Sequence, residues 1–208
     1  MPLIKKSTDK KSLELSTRWV FGTMLAFGIA GLLASFTLAV DEIIVLKNPN
    51  AVLNCSLNIV LNCSTVMKTW QAHAFGFPNM FIGLMGFPLV IMIALLGLAK
   101  VKLPRWFLIG AEIGYVFWTL FAYWLFFNSV YVIQVLCPWC LVVTFSMTIL
   151  SATITHYNLQ HNTFGFKQTA QKRIEQFLAK DFDKLVVAVW ILLLVSLVFL
   201  KFGDSLFV

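Results

Sequence analysis

The sequence predicts an all-helical membrane protein with five transmembrane helices. Of its 208 residues, 60% are hydrophobic and only 12% are charged, and the mean hydropathy is +0.86. A soluble domain is about half apolar and about a quarter charged, so this composition excludes a water-soluble globule. It also excludes a disordered chain, because disorder requires low hydrophobicity together with high charge.

Five apolar runs, each nearly free of charge, justify the five helices in turn. A helix needs about 20 apolar residues to cross the hydrocarbon core. The first run is long enough to span and follows 18 polar-rich residues, so we expect a retained helix rather than a cleaved signal peptide. The last run is short, and its flanking Lys184 and Lys201 must extend outward for it to cross. The predicted spans are residues 19–40, 77–99, 106–127, 130–155 and 185–200.

The distribution of basic residues predicts the orientation. With a cytoplasmic N-terminus and an external C-terminus, 13 of the 16 Lys and Arg residues lie in cytoplasmic segments, as the positive-inside rule requires. The net charge of +7 thus indicates topology, and we expect no nucleic-acid partner. We interpret residues 1–208 as one integral membrane domain, with an extracytoplasmic loop at 41–76 and a cytoplasmic loop at 156–184. The second loop is either a solvated connection or a short amphipathic surface helix.

All four cysteines fall on or near the outer face in this topology. Cys55 and Cys63 lie in the 41–76 loop, and Cys137 and Cys140 lie near the outer end of the fourth span. Disulfides persist on the exported side of a membrane. Three pairings are possible, and the spacing favours Cys55 with Cys63 and Cys137 with Cys140. Inert structural bridges are the alternative to redox chemistry.

The segment Cys137-Pro138-Trp139-Cys140 argues against inert bridges. Two intervening residues are typical of thiols that exchange, and a bridge closing so short a ring restricts the unfolded chain little. Proline is tolerated in the first turn of a helix, which predicts that the helix begins, or is kinked, near Cys137. Backbone N–H groups at a helix start favour the thiolate. The apolar neighbours indicate a lipid-soluble electron acceptor.

The loop pair lies in a different setting. Its segment mixes polar and apolar residues and follows the turn-forming Asn48-Pro49-Asn50, which predicts a loop that a soluble protein can reach. Apolar residues then recur at helical spacing, which predicts a short helix lying flat at the outer interface, where it packs or roofs a pocket. These residues are Val66, Met67, Trp70 and Ala74.

These motifs together resemble the vitamin K epoxide reductase (VKOR) family, including its bacterial disulfide-forming homologues. The resemblance rests on the loop pair with Ser64 directly after it, on the run Phe75-Gly76-Phe77-Pro78-Asn79-Met80-Phe81-Ile82-Gly83, and on Cys137-Pro138-Trp139-Cys140. It covers most of the chain, from the first span to the fourth. The DsbB family of quinone-linked disulfide generators has its two cysteine pairs in the reverse order.

The resemblance implies a quinone-dependent thiol oxidoreductase with a four-helix bundle around a quinone, menaquinone or ubiquinone. Cys140 would react with the quinone, with Cys137 as its partner. Cys63 would pass electrons to Cys137 through a mixed disulfide, and Cys55 would exchange with an external dithiol protein. The fifth helix is typical of bacterial forms, which implies a multi-pass protein of the plasma (inner) membrane with an extracytoplasmic active site that drives disulfide formation.

The resemblance also implies a quinone pocket. Asn79 matches the family's polar quinone-contacting residue, with Met67, Phe75 and Phe77 lining the pocket. Taken alone, an Asn at a helix start is as often an N-cap. Thr144 stands where animal members carry a hydroxylated aromatic residue, which favours quinone reduction over epoxide reduction.

The sequence stops eight residues after Leu200, without the thioredoxin-like domain that is fused to some bacterial relatives. We therefore expect a separate exported thioredoxin-fold (DsbA-like) protein as the electron donor. Two other functions stay open. One is vitamin K epoxide or quinone recycling in a eukaryotic endoplasmic reticulum membrane, and the other is a non-enzymatic membrane protein with structural disulfides.

Glu112 is a further candidate, because an ionised group in hydrocarbon is costly and marks a functional site by default. Its place near the inner end of the third span also allows it to reach interfacial water or to stay protonated. His73, His156 and His161 have no spacing that builds a metal site with the cysteines, so we expect no metal.

Overall fold

The regular secondary structure is helical, without strands, in the part of the chain that this computed structural model describes, which is residues 2–48, 51, 53, 55, 56, 58 and 60–203, with residues 2–16 described by their backbone alone. The predicted all-helical fold is confirmed. A 3-10 helix (Trp70–His73) and a π-helical segment (Asn128–Ile133) accompany the α-helices. The α-helices are α1 (Pro2–Lys47), α2 (Cys63–Met67), α3 (Met80–Leu98), α4 (Arg105–Phe127), α5 (Pro138–Gln160), α6 (Gln168–Ala179) and α7 (Phe182–Phe202).

Five of the described helices are long and apolar enough to cross a membrane, as predicted. The fifth span is longer than its apolar run, because α7 has 21 residues and rises about 30 Å. Lys184 therefore lies inside the helix, with its Nζ 4.8 Å from the centre of the Trp19 ring on α1. The apolar stretches are Thr17–Lys47, Met80–Leu98, Arg105–Ile133, Pro138–Gln160 and Phe182–Phe202.

The first helix extends beyond the predicted boundaries of 19–40 at both ends. Its apolar stretch alone, Thr17–Lys47, has 31 residues and is about 46 Å long. Because the hydrocarbon core is about 30 Å thick, a helix of this length continues past it. The C-terminal end of α1, with Asp41 and Glu42, thereby reaches the loop that holds Cys55 and Cys63.

The fourth span begins later than predicted. Residues from Val130 to Ile133 continue α4 as part of the π-helical segment, and the chain then reverses at Gln134, which is left-handed with φ 57°. Helix α5 starts at Pro138 with Cys137 as its N-cap. The predicted start at residue 130 is wrong because apolar residues continue through the reversal, whereas the helix start inferred from Pro138 is confirmed.

The predicted interfacial helix and the 156–184 loop, for which a surface helix was one of two alternatives, have different outcomes. The stretch after Cys63 is not one helix but α2 and the 3-10 helix, separated at Lys68 and Thr69. The cytoplasmic loop predicted at 156–184 begins later, since α5 runs to Gln160, and it contains the amphipathic helix α6. The predicted turn at Pro49 and Asn50 lies outside the described residues.

Helices α1, α3, α4 and α5 form the bundle, in which α1 packs against α3 and α5, and α4 packs against α5. Small residues permit the close approach of helices in a membrane. A Cβ added to Gly31 of α1 would lie 2.2 Å from the ring of Phe87 on α3, and Phe87 is 3% exposed. The bundle core includes Val20, Phe21, Met24, Phe87, Leu150 and Ile154.

We predict that Gly31→Ala destabilises the bundle although alanine favours a helix. Overpacking costs about 1–3 kcal/mol, and each kcal/mol lowers the melting temperature of a chain of this size by about 2–4 °C. Gly22→Ala on the same helix is the control, because a Cβ there has no contact within 4 Å. Thermal unfolding in detergent measures both variants, and equal melting temperatures would contradict the packing argument.

Candidate redox site

Cys55 and Cys63 form a disulfide, as their spacing predicts. Both residues are buried, Cys55 at 6% exposure and Cys63 at 0%. They pack in an apolar cluster that includes Val45 of α1 and Leu53 of the loop. In this conformation the two residues are therefore not exposed, so the predicted access of a soluble protein to the pair requires a local rearrangement of the loop.

Cys137 and Cys140 are free thiols, so the predicted second disulfide is absent from this structure. Their CxxC spacing at the start of α5 nevertheless brings the two residues together, and the backbone N–H of Cys140 donates to Cys137 Sγ at 3.4 Å. The pKa of the Cys137 thiol is lowered by a hydrogen bond from the Cys140 thiol and by the backbone N–H groups of Cys140 and Trp139. Burial and the charge of Asp41 act in the opposite direction but are outweighed. Cys137, directly before the membrane-spanning helix, is thus the favoured thiolate.

The two cysteine pairs touch each other. Cys137 Sγ lies 3.4 Å from Cys63 Sγ, and both residues are at most 1% exposed. A backbone pairing explains this proximity, since Leu136 N–H donates to Val60 O at 2.7 Å and Asn62 N–H donates to Leu136 O at 3.0 Å. The contact places a disulfide sulfur next to a free thiol, which is the arrangement that thiol-disulfide exchange requires.

A cavity of about 350 Å³ lies between the bundle helices next to the free thiols. Its walls are largely apolar and reach from Cys137 and Cys140 to Tyr115 and Ile93. Met67, Asn79 and Thr144, which the sequence predicts in a pocket, all line it.

The side-chain amide of Asn79 contacts Gln71, another residue that lines the cavity, rather than a helix end. Its Nδ2 donates to the backbone oxygen of Gln71 at 2.7 Å, and its side chain makes no capping hydrogen bond to α3. Its Oδ1 is buried and has no hydrogen-bond partner among the described residues. The side chain of Asn79 therefore does not cap α3, and this cavity-lining residue keeps an unpartnered acceptor atom.

Thr144 sits one helical turn after Cys140. Its hydroxyl donates to the Cys140 backbone oxygen at 2.9 Å, and the residue is 5% exposed. The hydroxyl proton is thus engaged within α5.

Phe75 and Phe77 lie outside the lining of this cavity, contrary to the prediction from sequence. They are 47% and 40% exposed, and the chain turns between them at Gly76, whose φ is 81°. The ring of Phe75 packs 5.2 Å from Phe121 and 6.2 Å from Trp118, and these two residues form the cavity wall. Phe75 therefore supports the wall from behind.

Glu112 is buried rather than in contact with interfacial water. It is 8% exposed, and its carboxylate accepts from the Thr155 hydroxyl at 2.5 Å and from Asn158 Nδ2 at 2.8 Å. These bonds join α4 to α5 and give Glu112 a structural role in the bundle. Within the described part of the chain, no cluster of His, Cys, Asp or Glu has the make-up of a metal site.

Asp41 is the site residue that the sequence did not reveal. Its Oδ2 lies 3.4 Å from Cys55 Sγ. The available signal was an acidic residue at the end of an apolar run, and its distance to a cysteine 14 positions away depends on the fold of the loop.

The fold and the site together define a class of protein, a membrane-embedded helical bundle with two touching cysteine pairs beside an apolar cavity. The model of the vitamin K epoxide reductase family matches residues 23–155, a range that holds all four cysteines and Asn79. The chain belongs to this family and is a multi-pass membrane protein with the family's thiol oxidoreductase character. Comparisons with curated proteins and with solved structures gave no significant match.

The sulfur contact predicts a specific cross-link. In the double variant Cys55→Ser/Cys140→Ser, only Cys63 and Cys137 remain, and we expect mild oxidation to join them within minutes because their sulfurs already touch. The control Cys55→Ser/Cys137→Ser leaves Cys63 and Cys140 and should oxidise at least about tenfold more slowly. Peptide mapping under non-reducing conditions measures both rates, and equal rates would contradict the observed arrangement.

Proposed function

We propose that the protein is a quinone-dependent thiol oxidoreductase that drives disulfide formation outside the cell. It oxidises an exported thioredoxin-fold (DsbA-like) dithiol protein and passes two electrons through its cysteine pairs to menaquinone or ubiquinone. The observation that carries this proposal is the 3.4 Å contact between Cys63 and Cys137, which links the loop pair to the pair beside the cavity.

The relay consists of four exchange steps, each an attack of a thiolate on a disulfide sulfur. A partner thiolate attacks Cys55, and the partner's second thiol completes the reduction of the Cys55–Cys63 bond. Cys63 then attacks Cys137 of the oxidised Cys137–Cys140 bridge and releases Cys140. Cys55 attacks Cys63 in the mixed disulfide, which restores the Cys55–Cys63 bond and leaves Cys137 and Cys140 reduced.

The cavity fits a quinone head group. Its volume of about 350 Å³ lies within the ~300–1,000 Å³ of small-molecule sites, and Cys140 is among its lining residues. Asn79 provides a polar group in an otherwise apolar wall, and Met67 and Thr144 would form further contacts. When bound, a quinone accepts two electrons and two protons.

Quinone reduction is favoured over epoxide reduction by the position of Thr144. The hydroxyl of Thr144 is bonded to the backbone one turn back, and its side chain is short. It is therefore poorly suited to deliver a proton to an epoxide oxygen held beside Cys140.

We place the protein in the plasma membrane, and the distribution of basic residues supports a site on its extracytoplasmic face. Arg105, at the N-terminus of α4, bonds Thr163 O in the connection after α5, whereas Cys137 lies at the opposite end of α5. The sulfurs thus lie at the end of the bundle remote from the basic connections, which the positive-inside rule places in the cytoplasm. Exchange with an external protein requires the loop over Cys55 to move, since Cys55 is 6% exposed.

We expect each of the four Cys→Ala variants to lose at least about 100-fold in quinone reduction when a reduced thioredoxin-fold partner is the donor. Every cysteine is an obligatory carrier in the relay, so none can be bypassed. Quinone absorbance measured with purified protein gives the rates. If the cysteines formed only structural disulfides, their replacement would change the melting temperature and leave turnover unchanged. That result would overturn the proposal.

We expect Asn79→Leu to raise the KM for quinone at least about tenfold, since a buried amide in an apolar pocket fixes ligand orientation. Asn128, a half-buried residue outside the cavity lining whose amide donates to Trp124 O at the end of α4, supplies the control Asn128→Leu with an unchanged KM. The rate of Cys63–Cys137 cross-linking should stay within about twofold in both variants. An unchanged KM for Asn79→Leu would remove Asn79 from the quinone site.

A further inference from the structure

Asp41 is an acidic residue of the sulfur cluster to which the relay assigns no role. It lies in the last two turns of α1, half-buried, with Oδ2 3.4 Å from Cys55 Sγ. The next residue, Glu42, faces elsewhere, because Glu42 Oε1 lies 3.4 Å from His73 Nε2 on the 3-10 helix. The carboxylate of Asp41 is therefore directed at the cysteine that exchanges with the outside.

The negative charge of Asp41 affects a sulfur of each cysteine pair. Cys55 of the loop contacts it directly, and for Cys137, before α5, the charge of Asp41 acts to raise the pKa. A fixed negative charge at hydrogen-bond distance disfavours a thiolate on Cys55 too, unless the carboxylate itself takes up the thiol proton. Asp41 therefore either slows the relay or serves it as a base.

The burial of Cys55 favours the second alternative, in which Asp41 acts as a base. A free thiol has a pKa of about 8.5, so near pH 7 only a few per cent of it is the attacking thiolate. At 6% exposure, Cys55 has little bulk water to receive its proton. A carboxylate within hydrogen-bond distance of its sulfur is an acceptor that is already in place.

We propose that Asp41 is the general base for Cys55. The assignment rests on the proposed function, because the proton moves in the step in which Cys55 attacks the mixed disulfide between Cys63 and Cys137. The Cys63–Cys137 bond breaks, the Cys55–Cys63 bond forms, and the Cys55 proton passes to Asp41 Oδ2. Cys137 leaves with the bonding electron pair as a thiolate and the proton stays on Asp41, so no outside oxidant or reductant enters this step.

A single-turnover experiment on the full chain in detergent tests the assignment without an external thiol. Fully reduced protein is mixed with excess short-chain soluble quinone at pH 6 to 9.5, quenched with acid and alkylated. Mass spectrometry then follows the Cys63–Cys137 and Cys55–Cys63 bonds over time. For Asp41→Asn we expect Cys55–Cys63 formation to be about 10–30-fold slower at pH 7, with the mixed disulfide accumulating.

The pH dependence separates a base from a structural residue. At pH 9.5 the rate of Cys55–Cys63 formation in Asp41→Asn should come within about threefold of the wild-type rate, because Cys55 then ionises without a base. Asp41→Glu should restore the rate to within about fivefold of wild type. Glu42→Gln, the matched loss of a neighbouring carboxylate, should keep the wild-type pH profile.

Two results would overturn the assignment. Faster exchange of Asp41→Asn at pH 7 would show that the charge only repels the thiolate, and an equal loss at every pH would show a structural role. Cys55→Ser separates these failures from a failure of the relay, because it should accumulate the Cys63–Cys137 bond. If that bond never forms in Cys55→Ser, the proposed function fails and the base assignment fails with it.

Discussion

The backbone pairing between the cysteine loop and the segment before α5 is the interaction on which the site depends. Leu136 donates to Val60 O and accepts from Asn62 N–H, which forms a single parallel bridge between Leu61 and Leu136. Cys63 directly follows Asn62, Cys137 directly follows Leu136, and the two sulfurs lie 3.4 Å apart. Because the pairing involves only backbone atoms, it can persist while the sulfurs change partners.

The bundle provides a rigid support for this pairing. Buried polar groups in a membrane must be satisfied within the protein, and here they join neighbouring helices. The Thr119 hydroxyl donates to Met147 O, Tyr123 bonds the Thr148 hydroxyl, and Trp190 Nε1 donates to the Tyr123 hydroxyl. Together with the bonds of Glu112, these contacts fix α4 to α5 and attach α7, so the cavity beside Cys140 has walls of defined shape.

The cysteine states in the structure correspond to one stage of the proposed relay. The loop pair is oxidised, the second pair is free, and both sulfurs at the contact are buried. This arrangement suits transfer between Cys63 and Cys137, for which exclusion of water prevents side reactions. The proposed exchange at Cys55 requires a different arrangement of the loop, in which the sulfur is exposed.

The sequence by itself determined the properties that depend on local composition. Hydropathy defines the five spans, Pro138 marks the start of α5, and the eight-residue separation of Cys55 and Cys63 favours their disulfide. Only the tertiary structure decided that Phe75 lies behind the cavity wall, that Cys55 is covered, and that Asp41 faces its sulfur. The contact between Cys63 and Cys137 joins residues 74 positions apart, and a distance of that kind is fixed by the packing of the whole bundle, which no local pattern of residues encodes.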